Sequence, residues 1–305
     1  MKDNIFTDEF TKVDKNQILS SLQNDGVYSF RNALSESFIN NLLEDVKNNK
    51  FSINENWTSG VYTEKQYYVK HLLGCSKLFY SLSVSNNIFQ ICDSYFQKEY
   101  RLKAYRYYET FSNHPMEWHT DNKISKKADI PGIIFIFYLN EVNDGEFQFI
   151  KGSHKFSDTN AYNVYTNKQI DNEFSDKILS FKGNKGDIII YDTYGIHRAK
   201  PFLNINFVRK SLFFQIDADL TSAEPSLVNP MFFKNLDKKT LNYFGFGLPA
   251  ESTTYPVTNY KRLPARIYLK SIFFPFVYYK IPRIIFNLLP KKLKDLIKKR
   301  FKKNA

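Results

Sequence analysis

Three residues of the sequence have the chemistry of a metal site. His119 and Asp121 are separated by one residue, and His197 follows 76 residues after Asp121. On a β-strand, residues i and i+2 point to the same face, so this pair would offer an imidazole nitrogen and a carboxylate oxygen to one point in space. A second histidine from a distant strand completes three ligands, a donor set that suits non-haem Fe(II) oxygenases. The sequence therefore predicts an iron site at these three residues.

The segments around the three residues are expected to be strands that end near the site. Residues 105–108 have a strand-like pattern and lead into a loop, and we expect His119 to lie at the start of the next strand. The turn at Gly186-Asp187 precedes the apolar run 188–191, which predicts a short buried strand just before His197. These strands would bring the distant ligands together.

Arg209 lies twelve residues after His197, in the strand-like run 207–216. A guanidinium group is a planar fork that can bind a carboxylate through two hydrogen bonds. A 2-oxo-acid cosubstrate carries such a carboxylate, so Arg209 is a candidate for binding it. The alternative is an ordinary strand arginine in a surface ion pair.

These segments resemble the phytanoyl-CoA dioxygenase family of Fe(II)- and 2-oxoglutarate-dependent oxygenases. The resemblance covers roughly residues 15–216, and its landmarks are Trp-His-Thr-Asp at 118–121, the segments 138–146 and 151–155, and the stretch from Gly186 to Arg209. It implies that His119, Asp121 and His197 hold iron and act as the catalytic residues. It also implies that Arg209 binds the distal carboxylate of 2-oxoglutarate and that O2 is the oxidant.

Two positions depart from the family pattern. Thr120 stands where many members have Gln, and its side chain is expected to point away from the site. Ala199 stands where many members have a hydroxyl residue, so a cosubstrate hydrogen bond would be weakened or moved. In halogenating relatives a small residue replaces the acidic ligand. Asp121 therefore favours hydroxylation, or desaturation by the same oxidant, over halogenation.

Other residues near the motifs have less specific interpretations. His154 is expected to be structural, while His71 and His114 are expected to be surface or packing residues. Trp118 and the Tyr105 to Tyr108 cluster are candidate pocket walls, with core packing an equal alternative. Cys75 and Cys92 have no metal-site spacing and form no disulfide framework.

The pattern of apolar residues predicts an α+β fold with a double-stranded β-helix, or jelly roll. Helices are expected from Asp14, from Ser35 and over residues 76–97, and strands over 133–139, 147–150, 178–181, 188–191 and 207–216. We expect a dioxygenase domain over residues 1–220, helical to 99 and jelly roll from 100. A connecting segment, 221–260, and a basic amphipathic tail, 261–305, would follow.

The basic charge of the chain is concentrated in this tail. The whole chain carries a formal net charge of +12, whereas residues 261–305 contain fourteen Lys or Arg and one acid, a net +13 that leaves −1 for the rest. Large apolar residues alternate with the charges. This mixture suits an anionic membrane surface better than nucleic acid, which would also require a recognition motif. Lysines and prolines interrupt the apolar run, so a transmembrane span is not expected. The alternative is a helix packed on the catalytic domain.

Together these features predict an iron and 2-oxoglutarate dioxygenase that hydroxylates a lipid or a lipid-linked glycan at the membrane surface. The alternatives are a soluble hydroxylase of an amino acid or secondary metabolite, and a non-catalytic jelly-roll scaffold with a membrane-binding tail. The first residues lack the apolar segment of a secretory signal. We therefore expect a cytoplasmic protein, peripheral on the inner face of the membrane, where a reducing environment keeps iron ferrous.

Overall fold

The computed structural model describes residues 4–48, 60–62, 66–69, 72–111, 116–122, 130–156, 165–220, 228–232, 237–246, 273, 277, 280–291 and 293–294. The chain divides into two compact units, Met1–Thr254 and Tyr255–Ala305. The domain boundaries expected at residues 220 and 260 remain predictions.

The first unit contains eight α-helices among its described residues, six of them before residue 100. They are α1 (Asp8–Thr11), α2 (Lys15–Asp25), α3 (Glu36–Asn48), α4 (Leu72–Cys75), α5 (Lys77–Ser83), α6 (Asn86–Phe96), α7 (Asn167–Glu173) and α8 (Lys238–Phe244).

Local capping explains where the predicted helices begin and end. The Asp14 carboxylate accepts a hydrogen bond from the Asn16 N–H at the start of α2, which ends at Gly26 in a left-handed conformation, φ 82°. The Ser35 hydroxyl accepts from the Phe38 N–H at the start of α3. The helix expected over 76–97 is divided into α5 and α6, because α5 ends at Ser83 and Ser85 begins a new helix.

Ten strands form two antiparallel sheets in the described part of the chain. They are β1 (Val27–Phe30), β2 (Gly60–Tyr62), β3 (Gln66–Val69), β4 (Arg101–Thr110), β5 (Gly132–Tyr138), β6 (Val142–Ile150), β7 (Ile178–Gly183), β8 (Ile188–Asp192), β9 (His197–Ala199) and β10 (Arg209–Asp217). The larger sheet has the order β1-β8-β5-β10-β4-β3-β2, and the smaller has the order β7-β6-β9.

The predicted strands exist, with differences at their ends. The largest difference is at β6, which begins at Val142 rather than at 147. Its pairing with β7 shifts register between Val142 and Phe147, and Gly145 between them has φ +61°. The apolar pattern marks only the regular part of such a strand. Strands β1, β2 and β3 were not predicted.

The larger sheet has a different partner on each face. One face packs against the helices in a core that includes Phe10, Leu42, Phe79, Phe135 and Phe214. The other face packs against the smaller sheet, through a cluster that includes Ile134, Tyr138, Phe149, Ile189 and Tyr191. The arrangement is a sandwich of two sheets with a helical layer outside, consistent with the predicted jelly roll.

The second unit contains the helix α9 (Ile281–Leu288). Ile281, Ile284, Ile285 and Leu288 repeat at helical spacing on this helix and are 37–80% exposed. The rest of the expected basic tail falls mostly outside the described residues. No helix in the described part of the chain has the length and apolarity needed to span a bilayer.

A buried polar network holds the end of β10 against the loop that follows His119. The Asn122 amide donates to the Thr193 hydroxyl at 2.9 Å and to the Asp217 carboxylate at 3.4 Å. The Gln215 amide donates to both Asn122 and Asp217, at 3.2 Å and 3.1 Å. Burial raises the pKa of Asp217 to about 6, and the nearby Lys103 opposes this increase.

Asp217 should make the folded protein less stable as the pH rises. Because its pKa is higher in the folded chain than the ordinary value of about 3.9, the folded state binds more protons between about pH 4 and pH 6. The free energy of unfolding should fall through this window by about 2–3 kcal/mol, from about 1.4 kcal/mol per pKa unit. Asp217→Asn should remove this part of the pH dependence.

Urea unfolding of the chelator-treated protein at several pH values measures this effect as the difference between wild type and variant. Glu173→Gln, at an exposed position, controls for the change in net charge. A wild-type to variant difference that is constant from pH 4 to pH 7.5 would contradict the assignment.

Candidate metal centre and adjoining cavity

The structure brings the three predicted ligands together. His119, Asp121 and His197 each offer one ligand atom, and these atoms lie within 4.8 Å of one another. The His197 Nε2 atom is 3.2 Å from Asp121 Oδ2, and the two imidazole rings have their centroids 4.4 Å apart. The cluster therefore has the dimensions of a metal centre with three protein ligands.

Backbone hydrogen bonds fix the spacing of the three residues. His119 and His197 form an antiparallel bridge in which each N–H donates to the other's carbonyl, at 3.0 Å and 2.9 Å. The N–H groups of Asp121 and Asn122 both donate to the Thr193 carbonyl at 3.1 Å. The expected strand start at His119 is thus wrong in detail. A single bridge to β9 and a bend replace a regular strand, because Asp121 and Asn122 bind Thr193 instead.

Each histidine is oriented by a carbonyl behind it. His119 Nδ1 lies 2.7 Å from the Glu117 carbonyl, and His197 Nδ1 lies 3.0 Å from the Gly195 carbonyl. Since a carbonyl only accepts, both contacts require a proton on Nδ1, which leaves the Nε2 lone pair for a metal. Burial lowers the pKa of His197 to about 4, although Asp121 opposes this decrease. His197 is therefore neutral at pH 7, as a metal ligand must be.

Tyr191 contacts two of the three ligands, although the sequence indicated only a strand residue there. Its hydroxyl donates to Asp121 Oδ2 at 2.9 Å and lies 3.4 Å from His197 Nε2. Burial raises the pKa of Tyr191, so the hydroxyl stays protonated and can donate. The strand alternation of β8 indicates the face on which Tyr191 lies, because Tyr191 shares that face with Ile189 of the inter-sheet cluster.

A cavity of about 320 Å³ extends from the metal centre between the two sheets. Its described lining combines the three candidate ligands with hydroxyl, aromatic, aliphatic and arginine side chains: Arg106, Tyr108, Thr110, Met116, His119, Asp121, Ile136, Tyr138, Phe147, Tyr191, His197, Ala199, Arg209, Ser211 and Phe213. This volume is at the lower end of the range for small-molecule sites, about 300–1,000 Å³.

Strand alternation places two adjacent rows of side chains on the cavity wall, one from each of two paired strands. The first is Arg106, Tyr108 and Thr110 on β4, and the second is Arg209, Ser211 and Phe213 on β10. The register opposes Arg209 to Thr110, Ser211 to Tyr108, and Phe213 to Arg106. Of these six residues, only Arg209 had been selected from the sequence as a binding residue.

Arg209 lies in the cavity wall as a half-buried cation. Its Nη1 donates to the Gly145 carbonyl, and its guanidinium lies 5.7 Å from the centre of the Phe202 ring. Burial lowers the pKa of Arg209, while Tyr138 and Glu146 raise it. An arginine so placed is not the surface ion pair considered as the alternative.

Several expected pocket residues lie elsewhere. Trp118 is fully buried in a separate cluster, with the Arg198 guanidinium 4.3 Å from its ring centre. Tyr105 and Tyr107 face the helical core, so only Tyr108 of the predicted tyrosine cluster lines the cavity. His154 Nε2 contacts the Gln23 carbonyl at 3.2 Å, consistent with a structural role. His71 and His114 lie outside the described residues.

Several solved structures share this fold. HygX from Streptomyces hygroscopicus, with nickel, 2-oxoglutarate and hygromycin B bound, matches with a TM-score of 0.54 at 12% identity, over 69% of this chain and 90% of HygX. The epimerase SnoN, in complex with Fe3+, alpha ketoglutarate and nogalamycin RO, has a TM-score of 0.52 at 13% identity, over 73% of this chain and 90% of SnoN.

SnoK, a non-heme alpha ketoglutarate dependent carbocyclase from nogalamycin biosynthesis, also has a TM-score of 0.52 at 13% identity, over 68% of this chain and 85% of SnoK. No protein-family model and no curated protein matches the chain. At these identities the likeness establishes the fold alone. The similarity to the phytanoyl-CoA dioxygenase family therefore remains a resemblance.

Tyr191→Phe should weaken metal binding, because it removes the hydrogen bond that holds Asp121 Oδ2. Loss of such a supporting contact typically costs about 10–100-fold in metal affinity. Anaerobic calorimetric titration with Fe(II) measures the change. Tyr105→Phe is the matched control, since its hydroxyl donates to the Phe79 carbonyl in the helical core. Equal affinities of wild type and Tyr191→Phe would exclude the supporting role.

Proposed function

We propose that this protein is an Fe(II)- and 2-oxoglutarate-dependent dioxygenase. Iron is held by His119, Asp121 and His197, which also serve as the catalytic residues. The observation that carries the proposal is the convergence of two histidines and one carboxylate at a cavity whose wall also contains the half-buried Arg209. Two His and one carboxylate with open positions suit non-haem Fe(II).

The cavity also fits the cosubstrate. Arg209 presents a fixed guanidinium, which can bind the distal carboxylate of 2-oxoglutarate through two charge-assisted hydrogen bonds. Ser211 and Tyr138 line the wall near it. The Ser211 hydroxyl can donate a hydrogen bond to the cosubstrate, whereas the Tyr138 hydroxyl already donates to the Phe181 carbonyl. Ala199 also lines the cavity. It contributes no hydroxyl, so the nearby Ser211 hydroxyl is available in its place.

Bound iron and 2-oxoglutarate supply the oxidising chemistry, in which O2 and 2-oxoglutarate are consumed and succinate and CO2 are formed. The protein's residues position the reactants and exclude water. Tyr191 orients the Asp121 carboxylate, while Phe147, Ile136 and Phe213 provide an apolar wall. Hydroxylation of the substrate is the proposed outcome, and Asp121 occupies the position that a halide would need.

Anaerobic addition of Fe(II) and 2-oxoglutarate should produce a weak visible charge-transfer band in the wild-type protein. Asp121→Ala should remove most of it. Arg209→Gln should raise the apparent dissociation constant of 2-oxoglutarate by about 10–100-fold, since a hydrogen bond to a charged group is worth about 1.5–3 kcal/mol. Lys210→Gln is the matched control, because Lys210 is adjacent to Arg209 but does not line the cavity.

A band in the wild type, together with succinate formation in air, would support the enzyme over the scaffold alternative. Failure to bind iron, established by metal analysis of the wild type, would favour the non-catalytic scaffold. His119→Ala separates the two in the cell, because a scaffold would keep its biological role without this ligand.

We also propose that residues 261–305 attach the enzyme to an anionic membrane surface, on the inner face of the membrane. The net charge of +13 in this segment supports electrostatic attraction, at about 1 kcal/mol per basic residue near the lipid. The apolar face of α9 supports insertion at the headgroup boundary. A lipid or lipid-linked glycan would then be the substrate. A soluble small molecule fits the cavity equally.

The full-length protein should sediment with vesicles containing phosphatidylglycerol at low salt and less at high salt, because the attraction is screened. Ile284→Asp combined with Ile285→Asp should reduce this binding several-fold. Leu203→Asp, which changes another exposed apolar residue, is the control. Equal sedimentation of all three proteins would exclude membrane attachment through α9.

A further inference from the structure

Uncharged groups hold the guanidinium of Arg209. Its Nη1 donates to the Gly145 carbonyl, and the centre of the Phe202 ring lies 5.7 Å from the guanidinium carbon, within the range of a cation–π contact. The carboxylate of the neighbouring Glu146 is buried and pairs with Lys200, at 3.1 Å. Because a carbonyl and a ring face stabilise a cation without neutralising it, the charge of Arg209 stays available to a bound carboxylate.

The irregular part of β6 provides the seat for the Phe202 ring. Gly145 has φ +61°, and a Cβ atom at this position would lie 2.5 Å from the ring. The ring therefore lies directly on the backbone of β6, where a side chain larger than hydrogen would displace it. The Phe207 ring packs against the Phe202 ring with centroids 5.9 Å apart. These contacts leave the Phe202 ring little freedom to move.

Asp144 ties the loop between β9 and β10 to the same part of β6. Its carboxylate accepts hydrogen bonds from the N–H groups of Leu203 and Asn204, at 2.9 Å and 2.7 Å. It also accepts from the Gly145 N–H at 2.9 Å. The loop that supplies the ring and the strand that supplies the carbonyl are thereby joined, so both contacts of the Arg209 guanidinium come from one connected unit.

Asn140 fixes the main chain on both sides of Arg209. Its amide donates to the Val208 carbonyl at 2.9 Å and accepts from the Lys210 N–H at 2.7 Å. With the backbone held in this way, the direction of the guanidinium depends on the Arg209 side-chain rotamer. The contact with Phe202 restricts that rotamer.

We infer that Phe202 is a positioning residue for 2-oxoglutarate, because its ring holds the Arg209 guanidinium in the orientation that meets the distal carboxylate. This inference rests on the proposed function, in which Arg209 binds the cosubstrate. Phe202 is not among the described residues that line the cavity, so it acts through Arg209. A guanidinium that is oriented in advance loses less side-chain entropy on binding, which corresponds to about three- to tenfold in affinity.

Anaerobic titration of the Fe(II)-loaded protein with 2-oxoglutarate, followed by the charge-transfer band, measures this contribution. Phe202→Leu keeps an apolar side chain but removes the ring, and it should raise the dissociation constant about three- to tenfold. Phe202→Tyr keeps the ring and should remain within about twofold of wild type. Thermal unfolding of each variant shows that it is folded.

Phe174→Leu is the matched control. Phe174 is also a half-buried ring beside a cation, since Lys177 Nζ lies 6.0 Å from its centre. It packs against Phe156 in a separate cluster and is not among the described residues that line the cavity. This variant should bind 2-oxoglutarate with the affinity of the wild type.

A double-mutant cycle separates action through Arg209 from a general structural role. In protein that already carries Arg209→Gln, Phe202→Leu should change the dissociation constant by less than about twofold, because the group that the ring orients is gone. A ring that only maintained the shape of the cavity would weaken binding by the same factor in both backgrounds.

Wild-type affinity in Phe202→Leu would overturn the inference. An equal loss of affinity in the presence and absence of Arg209→Gln would also overturn it, as would a loss in Phe202→Tyr as large as that in Phe202→Leu. Failure of the proposed function is distinct, because the wild type would then bind neither Fe(II) nor 2-oxoglutarate.

Discussion

The backbone bridge between His119 and His197 is the interaction on which the rest of the site depends. Two reciprocal hydrogen bonds place these residues side by side although 78 positions separate them in the sequence. Such contacts tolerate little displacement, because a one-residue slip in pairing would turn a histidine to the opposite face. The candidate ligands are therefore positioned by main-chain geometry before any metal binds.

This bridge in turn needs a rigid base, which the larger sheet supplies. The bridge continues into β9 of the smaller sheet, and Asp121 is held through the Thr193 carbonyl just beyond β8 of the larger sheet. The Tyr138 hydroxyl connects the two sheets, since it donates to the Phe181 carbonyl and accepts from the Phe147 N–H. The separation of the sheets, and with it the width of the cavity, is thereby fixed.

Much of the fold followed from the sequence because apolar alternation and capping residues are local signals. The predicted strands around β5, β8 and β10 are present, and the residues predicted as ligands are brought together. Strand β1 was missed, because only four residues pair there and their alternation is too short to recognise. Tyr191 was missed for another reason. The alternation of β8 indicates only the face on which it lies, whereas its contacts with Asp121 and His197 depend on which strands are neighbours, and the sheet order is not a local property.

The alternation of side chains along β10 also has a consequence for how the sequence of this fold can diverge. Phe214 lies in the helical core, stacked on Phe135 with ring centroids 4.9 Å apart, whereas its neighbours Phe213 and Ser211 line the cavity. Residues of the core and residues that line the cavity thus alternate along one strand. Substitutions at the cavity-lining residues can change which molecules bind, while the core residues stay the same. Such separation allows one scaffold to bind different molecules without loss of its core.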